Sequence, residues 1–165
     1  MIHPRKVGHV VLNGQDLEKM ERFYTEVLGF EVVARTKRPR GVFFSLGAQH
    51  HDLAVLQAPA ETQPQRPTST GLHHVALQLG NREELKTSYQ ELKAKGVPIA
   101  GTVNHGITHS VYFFDPEGNM VELFCDIGED GLERMRRGDA AALDPLDLDS
   151  PESISPPSGS PQTAV

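Results

Sequence analysis

His9-Val10-Val11-Leu12 and His74-Val75-Ala76-Leu77 are the two stretches whose reading decides how this chain folds. Each is a short apolar run led by a histidine, the signature of a buried strand. Each is followed by a helical pattern. Asp16 stands as an N-cap before an apolar face of Leu17, Met20, Phe23 or Tyr24, and Val27. Gly29 suits the left-handed position past the end of that helix. Asn81, with Glu84 three residues later, makes a capping-box-like pair ahead of Leu85, Tyr89 and Leu92, and Gly96 closes the second helix. Tyr24 and Tyr89 fall at the same offset from their histidines. Three strand candidates follow each helix: Phe30 to Arg35, Val42 to Leu46 and Asp52 to Gln57, then Val97 to Val103, His109 to Phe114 and Met120 to Cys125. The chain therefore reads as an internal repeat of two βαβββ modules, an α+β fold. The modules occupy about residues 5–58 and 70–126, joined by a polar linker from Ala58 to Thr70.

The pattern changes past Asp126. Residues 127–143 hold one short helix candidate, Glu129 to Arg137, acidic at its start and arginine-rich at its end as the helix dipole favours, with Gly138 to stop it. Residues 144–165 are dominated by Pro, Ser and Asp. That composition buries too little to offset the entropy of ordering, so this tail is expected to be disordered. Leu143, Leu146 and Leu148 are its candidate anchor.

The net charge of −6 is carried almost wholly by the C-terminal part, which from Ile127 onward has eight acids against three arginines. A near-neutral body presents no basic footprint for nucleic acid and no polybasic patch for an anionic membrane. No apolar run approaches the ~20 residues that span a bilayer. The single cysteine, Cys125, excludes an internal disulfide, and the N-terminus carries no apolar leader. A cytoplasmic location is expected.

A lone histidine leading a buried strand is usually structural. Two at equivalent points of a repeat converge on one axis if the modules pack as a pseudo-symmetric pair. Glu122 lies in Met120-Val121-Glu122-Leu123-Phe124, where an acid among apolar neighbours needs a partner or a metal. Two histidines and one carboxylate form the facial triad that leaves open positions on non-haem iron(II). In the first module Ala54 holds the place of Glu122, so the repeat supplies three ligands, His9, His74 and Glu122. Adjacent strand residues point to opposite faces, so only one of His73 and His74 faces the site, and the register with His9 selects His74. His51 reads equally as an acid–base group beside Ala54 or as a solvated turn histidine, and Tyr112 otherwise as a core aromatic. Asp115-Pro116-Glu117-Gly118-Asn119 reads as a hairpin turn, and Cys125 as a buried filler.

The pieces His51-Asp52-Leu53-Ala54, Leu72-His73-His74-Val75 and His105-Gly106-Ile107-Thr108-His109, followed by Tyr112-Phe113-Phe114-Asp115-Pro116-Glu117-Gly118-Asn119 and Glu122, resemble the catalytic half of the extradiol catechol 2,3-dioxygenases. These belong to the vicinal oxygen chelate superfamily, and the resemblance spans about residues 7 to 126. It implies a vicinal oxygen chelate domain over residues 1–126, with His9, His74 and Glu122 on iron(II), Mn(II) being accepted by similar ligands. It implies that His51 assists dioxygen binding and moves protons. It implies that His105 and Tyr112 hydrogen-bond the bound catechol. The substrates would be a small-molecule catechol and dioxygen, and the product a ring-opened acid. The N-terminal, non-catalytic half of the larger enzymes has no counterpart, which points to a one-domain form assembling as a homo-oligomer.

Two other readings fit the same layout. A metal-dependent thiol transferase of the fosfomycin-resistance type uses two histidines and a glutamate at these positions without needing His51, His105 or Tyr112. A metal-free small-molecule-binding protein of this fold needs no ligands at all. A glyoxalase-like isomerase fits less well, because Ala54 removes a fourth ligand.

Overall fold

A computed structural model describes residues 1–62, 70–138 and 142–150. The central part of the linker and residues 151–165 of the expected disordered tail lie outside the described residues.

The first module runs β1 (Val10–Gly14), α1 (Leu17–Arg22), β2 (Glu31–Lys37), β3 (Arg40–Ser45) and β4 (Leu53–Gln57). The second runs β5 (Val75–Gln78), α2 (Arg82–Ala94), β6 (Ile99–Asn104), β7 (Thr108–Phe114) and β8 (Met120–Asp126). Both sheets follow one plan, with orders β1-β4-β3-β2 and β5-β8-β7-β6 and the first strand parallel to its neighbour. Even the irregularities repeat: β2 slips register between Val32 and Ala34, and β6 between Ile99 and Gly101.

Local chemistry accounts for the helices. Asp16 accepts from the Lys19 amide and Asn81 from the Glu84 amide, both at 2.9 Å, satisfying N–H groups that a helix start leaves unpaired. The Glu84 carboxylate closes its box on the Gly80 amide at 2.8 Å. Gly29 and Gly96 follow the two helical segments at φ 72° and 71°, a region that strains residues with a Cβ. One feature departs from the simple helical pattern. Past Arg22 the first helix widens into a π-helical turn over Phe23–Val27. The extra residue per turn lets Phe23 and Tyr24 both be buried, where a regular helix would favour one.

Alternation along the strands separates two faces of each sheet. Leu12, Val42, Phe44, Leu53 and Val55 of the first, and Val111, Phe113, Val121, Leu123 and Cys125 of the second, are buried in one apolar core with the helices. Phe23 meets Phe113 across the modules, ring centroids 6.4 Å apart. Tyr24 donates to Asp115 at 3.0 Å, and Glu117 accepts the Gln15 and Asp16 amides at 3.0 and 2.8 Å. The β7–β8 turn thus clamps the start of α1. Because the helix-bearing faces share this core, the other face of each sheet is turned away from it.

After β8, α3 (Gly131–Arg137) ends at Gly138 in the left-handed region. The chain then returns, and here the expected boundary of disorder at residue 144 is corrected. Asp144–Pro145 forms β9 on the edge of β6, and Leu146 and Leu148 are buried. Asp149 accepts from Tyr89 at 2.9 Å and Lys93 at 2.8 Å. The physical reason is local. Alternate leucines reach the core, while the tail's average composition hides them. Leu143, grouped with them from the sequence, is exposed.

Candidate functional site

Glu122 sits on β8 opposite Ala76 of β5 and Tyr112 of β7. All three lie on the face turned away from the core. Glu122 is only 7% exposed. Its two oxygens go to different partners. Oε2 lies 2.9 Å from Nε2 of His74, which leads β5 and shares the outward phase of Ala76. Oε1 accepts from the Tyr112 hydroxyl at 2.8 Å. The Tyr112 hydroxyl in turn lies 3.0 Å from Nε2 of His105, in the β6–β7 turn. Loss of solvation and then the neighbouring Glu122 push the Tyr112 phenol up to about 12, so it keeps its proton at neutral pH. His73 is hydrogen-bonded to His74, their Nδ1 atoms 2.8 Å apart.

The structure unites four of the six residues named from the sequence. His74, Glu122, Tyr112 and His105 form one continuous hydrogen-bonded line. His9 and His51 are together elsewhere, on the outward face of the first sheet. Their ring centroids are 4.3 Å apart, with His50 against His51 and Phe43 edge-on to His51 at 5.3 Å. Burial, then the adjacent His9 and His50, pull the His51 imidazole below its usual range. Among the described residues no three His, Cys, Asp or Glu side chains converge as a metal site. The convergence of His9 on His74 expected of a pseudo-symmetric pair does not occur inside one chain, because the shared core holds the two outward faces apart.

Register explains which module offers what. Val11 and Phe43 flank Ala54 as Ala76 and Tyr112 flank Glu122. Ala54 is fully buried and occupies the position of the carboxylate. The β2–β3 hairpin closes through Arg38 and Pro39, whereas the β6–β7 hairpin runs from His105 to Thr108, with Gly106 at φ 81°. The longer turn brings His105 back onto Tyr112. His109 lies on β7 opposite Cys125, away from this line.

The donor set suits a transition metal. Iron(II) takes imidazole nitrogen and carboxylate oxygen. A buried carboxylate whose side-chain partners are a histidine and a phenol supplies negative charge that a cation would balance. Two contacts to this line escaped the sequence. Ala142 offers its carbonyl to His105 Nδ1 at 3.1 Å, and Arg134 of α3 donates to the Gly106 carbonyl at 2.7 Å. A backbone carbonyl leaves no mark in a sequence, and an arginine near a helix end reads first as a dipole complement.

Residues 6–123 match the model of the Glyoxalase/Bleomycin resistance protein/Dioxygenase superfamily. The chain is 37% identical over 122 residues to a biphenyl-2,3-diol 1,2-dioxygenase from Rhodococcus globerulus, covering 73% of this chain and 63% of that enzyme. It is 29% identical over 132 residues to a catechol-2,3-dioxygenase from Bacillus subtilis, covering 80% of this chain and 45% of that one. It thus spans less than two thirds of the length of either. A genomically encoded fosfomycin resistance protein from Listeria monocytogenes superposes with a TM-score of 0.64 at 21% identity, over 81% of this chain and 98% of that one. At that identity the likeness is one of fold.

Proposed function

The chain belongs to the glyoxalase/bleomycin resistance protein/dioxygenase superfamily, and from that premise we propose that it is an iron(II)-dependent extradiol dioxygenase opening the ring of a catechol-type substrate with dioxygen. The observation that carries this reading is the line from His74 through Glu122 and Tyr112 to His105. A thiol transferase has no assigned use for the last two, whereas a ring-cleaving enzyme needs donors beside a metal-bound diol.

His74 and Glu122 would hold the metal, and manganese would be accepted by the same donors. The third ligand would be His9 of a second copy, brought against the outward face that carries Glu122. The homo-oligomer would then be part of the site. His51 travels with His9, their rings being 4.3 Å apart, and arrives beside the metal from the same copy. Held by these residues, iron(II) would supply a common centre for diol and dioxygen. The protein does the rest. Tyr112, protonated at neutral pH, donates a hydrogen bond to an anionic substrate oxygen. His105, in contact with that hydroxyl, holds or yields a proton at Nε2. His51 accepts the proton released as the diol binds.

Anaerobic loading with iron(II), then an oxygen electrode and a panel of catechols, tests the assignment. Oxygen uptake matched to a coloured ring-opened product is expected. No uptake with any catechol, alongside thiol-adduct formation on an epoxide, would replace it with the thiol-transferase reading.

A further inference from the structure

His105 is gripped from two sides by chain that lies beyond residues 6–123, the part matched by the family model. On one side Arg134 donates to the carbonyl of Gly106, the turn residue next to His105. On the other the Ala142 carbonyl lies 3.1 Å from His105 Nδ1. A carbonyl only accepts, so the bond requires the proton on Nδ1 and leaves Nε2 as the atom facing Tyr112.

The segment making this grip is itself anchored. β9 pairs Asp144 with Asn104 and Pro145 with Val103, on the strand leading into His105. Thr102 donates to the Leu146 carbonyl at 2.7 Å. Leu148 is buried, and Asp149 is held by Tyr89 and Lys93. An exposed loop histidine would sample several rotamers. Here a strap fixes one.

We propose that α3 and the strap from Ala142 to Ser150 form a positioning element that fixes the orientation of His105 and holds a hydrogen on its Nδ1, through Arg134 and the Ala142 carbonyl. The segment lies outside the residues that the family model matches, and its role rests on the dioxygenase reading only for its effect on turnover. Substrate contact stays with Nε2. The strap acts through the ring, so Arg134 is a positioning residue.

The test uses the full-length, metal-free protein labelled with ¹⁵N-histidine, with His105 signals assigned by their loss in His105→Gln. Wild type should show His105 protonated at Nδ1. Arg134→Ala and, separately, Leu146→Ser should move those signals away from the Nδ1-protonated pattern while the amide spectrum stays folded. Arg134→Lys, which keeps a donor for Gly106, should largely restore them. Two variants at different anchors keep the test decisive if one of them folds poorly. With iron and a catechol, Arg134→Ala should lower kcat about tenfold with KM little changed, a fraction of the ~10²-fold that a misplaced group can cost. Unchanged His105 signals in the folded variants would overturn the strap. A shift of the His105 signals in a protein that turns over no catechol would keep the strap and remove the dioxygenase reading.

Discussion

At the centre of the second sheet Glu122 lies between Ala76 and Tyr112, and at the matching point of the first Ala54 lies between Val11 and Phe43. The backbones around these points share strand order, register and bulge position. The side chains have diverged into complementary parts. The second module carries the carboxylate, its phenol and the long turn with His105. The first carries His9, His50 and His51 on a face otherwise apolar at its centre. A duplicated scaffold permits this because a residue on the outward face is free of the core. Changing it alters a site without disturbing packing. On the proposed assignment neither module holds a complete ligand set, so the proposed function depends on how outward faces are brought together.

The largest effect should come from separating the two contributions. His9→Ala and Glu122→Ala should each lose stoichiometric iron while remaining folded, because both side chains lie off the core face. Mixed and reassembled, the two variants should regain part of the iron and oxygen uptake. A hybrid pair carries one site with all its ligands intact when ligands come from different copies. Metal content of the mixture reads the result. A mixture as empty as its components, with subunit exchange confirmed, would mean that the site is not shared between chains.

Much of this division was legible in the sequence. The repeat, the caps at Asp16 and Asn81 and the contrast of Ala54 with Glu122 are periodic or local, so they survive without coordinates. The line joining Glu122, Tyr112 and His105 was legible only through resemblance, since it crosses from β8 to β7 and on to the β6–β7 turn. The separation of His9 from His74 was hidden. It depends on which faces share the core, and a strand pattern marks an apolar face without naming what covers it. The docked strap was half legible: Leu146 and Leu148 stood among the candidate anchors, but they sit in a segment whose bulk composition argues for disorder.

A middle-sized effect distinguishes the paired tyrosines. Tyr24 and Tyr89 occupy the same offset in the repeat, yet Tyr24 reaches Asp115 inside the core and Tyr89 reaches Asp149 at the rim. Burial, then Asp115, drive the Tyr24 phenol well above its usual range, while burial lifts the Asp115 carboxyl. Tyr24→Phe keeps the ring against Phe23, Phe30 and Phe44 and leaves Asp115 with the Glu117 and Asn119 amides and the Asn119 side chain. The loss should be about 1–2 kcal/mol by urea unfolding. Tyr89→Phe should cost less, under about 1 kcal/mol, since water and Lys93 remain available to Asp149. Equal losses would mean that the two modules are locked together no more firmly at Tyr24 than the strap is at Tyr89.

The smallest effect concerns the last strand pair of each sheet, where Arg40 faces Gln57 in the first module and His109 faces Cys125 in the second. The first pair holds no imidazole. Burial and then the charge of Arg82 hold the His109 imidazole below its ordinary value. A histidine whose folded pKa is depressed is neutral in the fold at a pH where the unfolded chain already binds a proton. Its contribution is therefore fully present above the unfolded value of about 6.5 and is lost as pH falls below it, levelling off once the folded pKa is passed. His109→Gln removes the titration and keeps a polar side chain. Urea midpoints of the metal-free protein, measured from neutral pH downward, should fall more steeply for wild type than for the variant. His51, whose pKa is also lowered, titrates in both proteins and drops out of the difference. Parallel curves would place the acid sensitivity in the first module's histidines and leave His109 as packing alone.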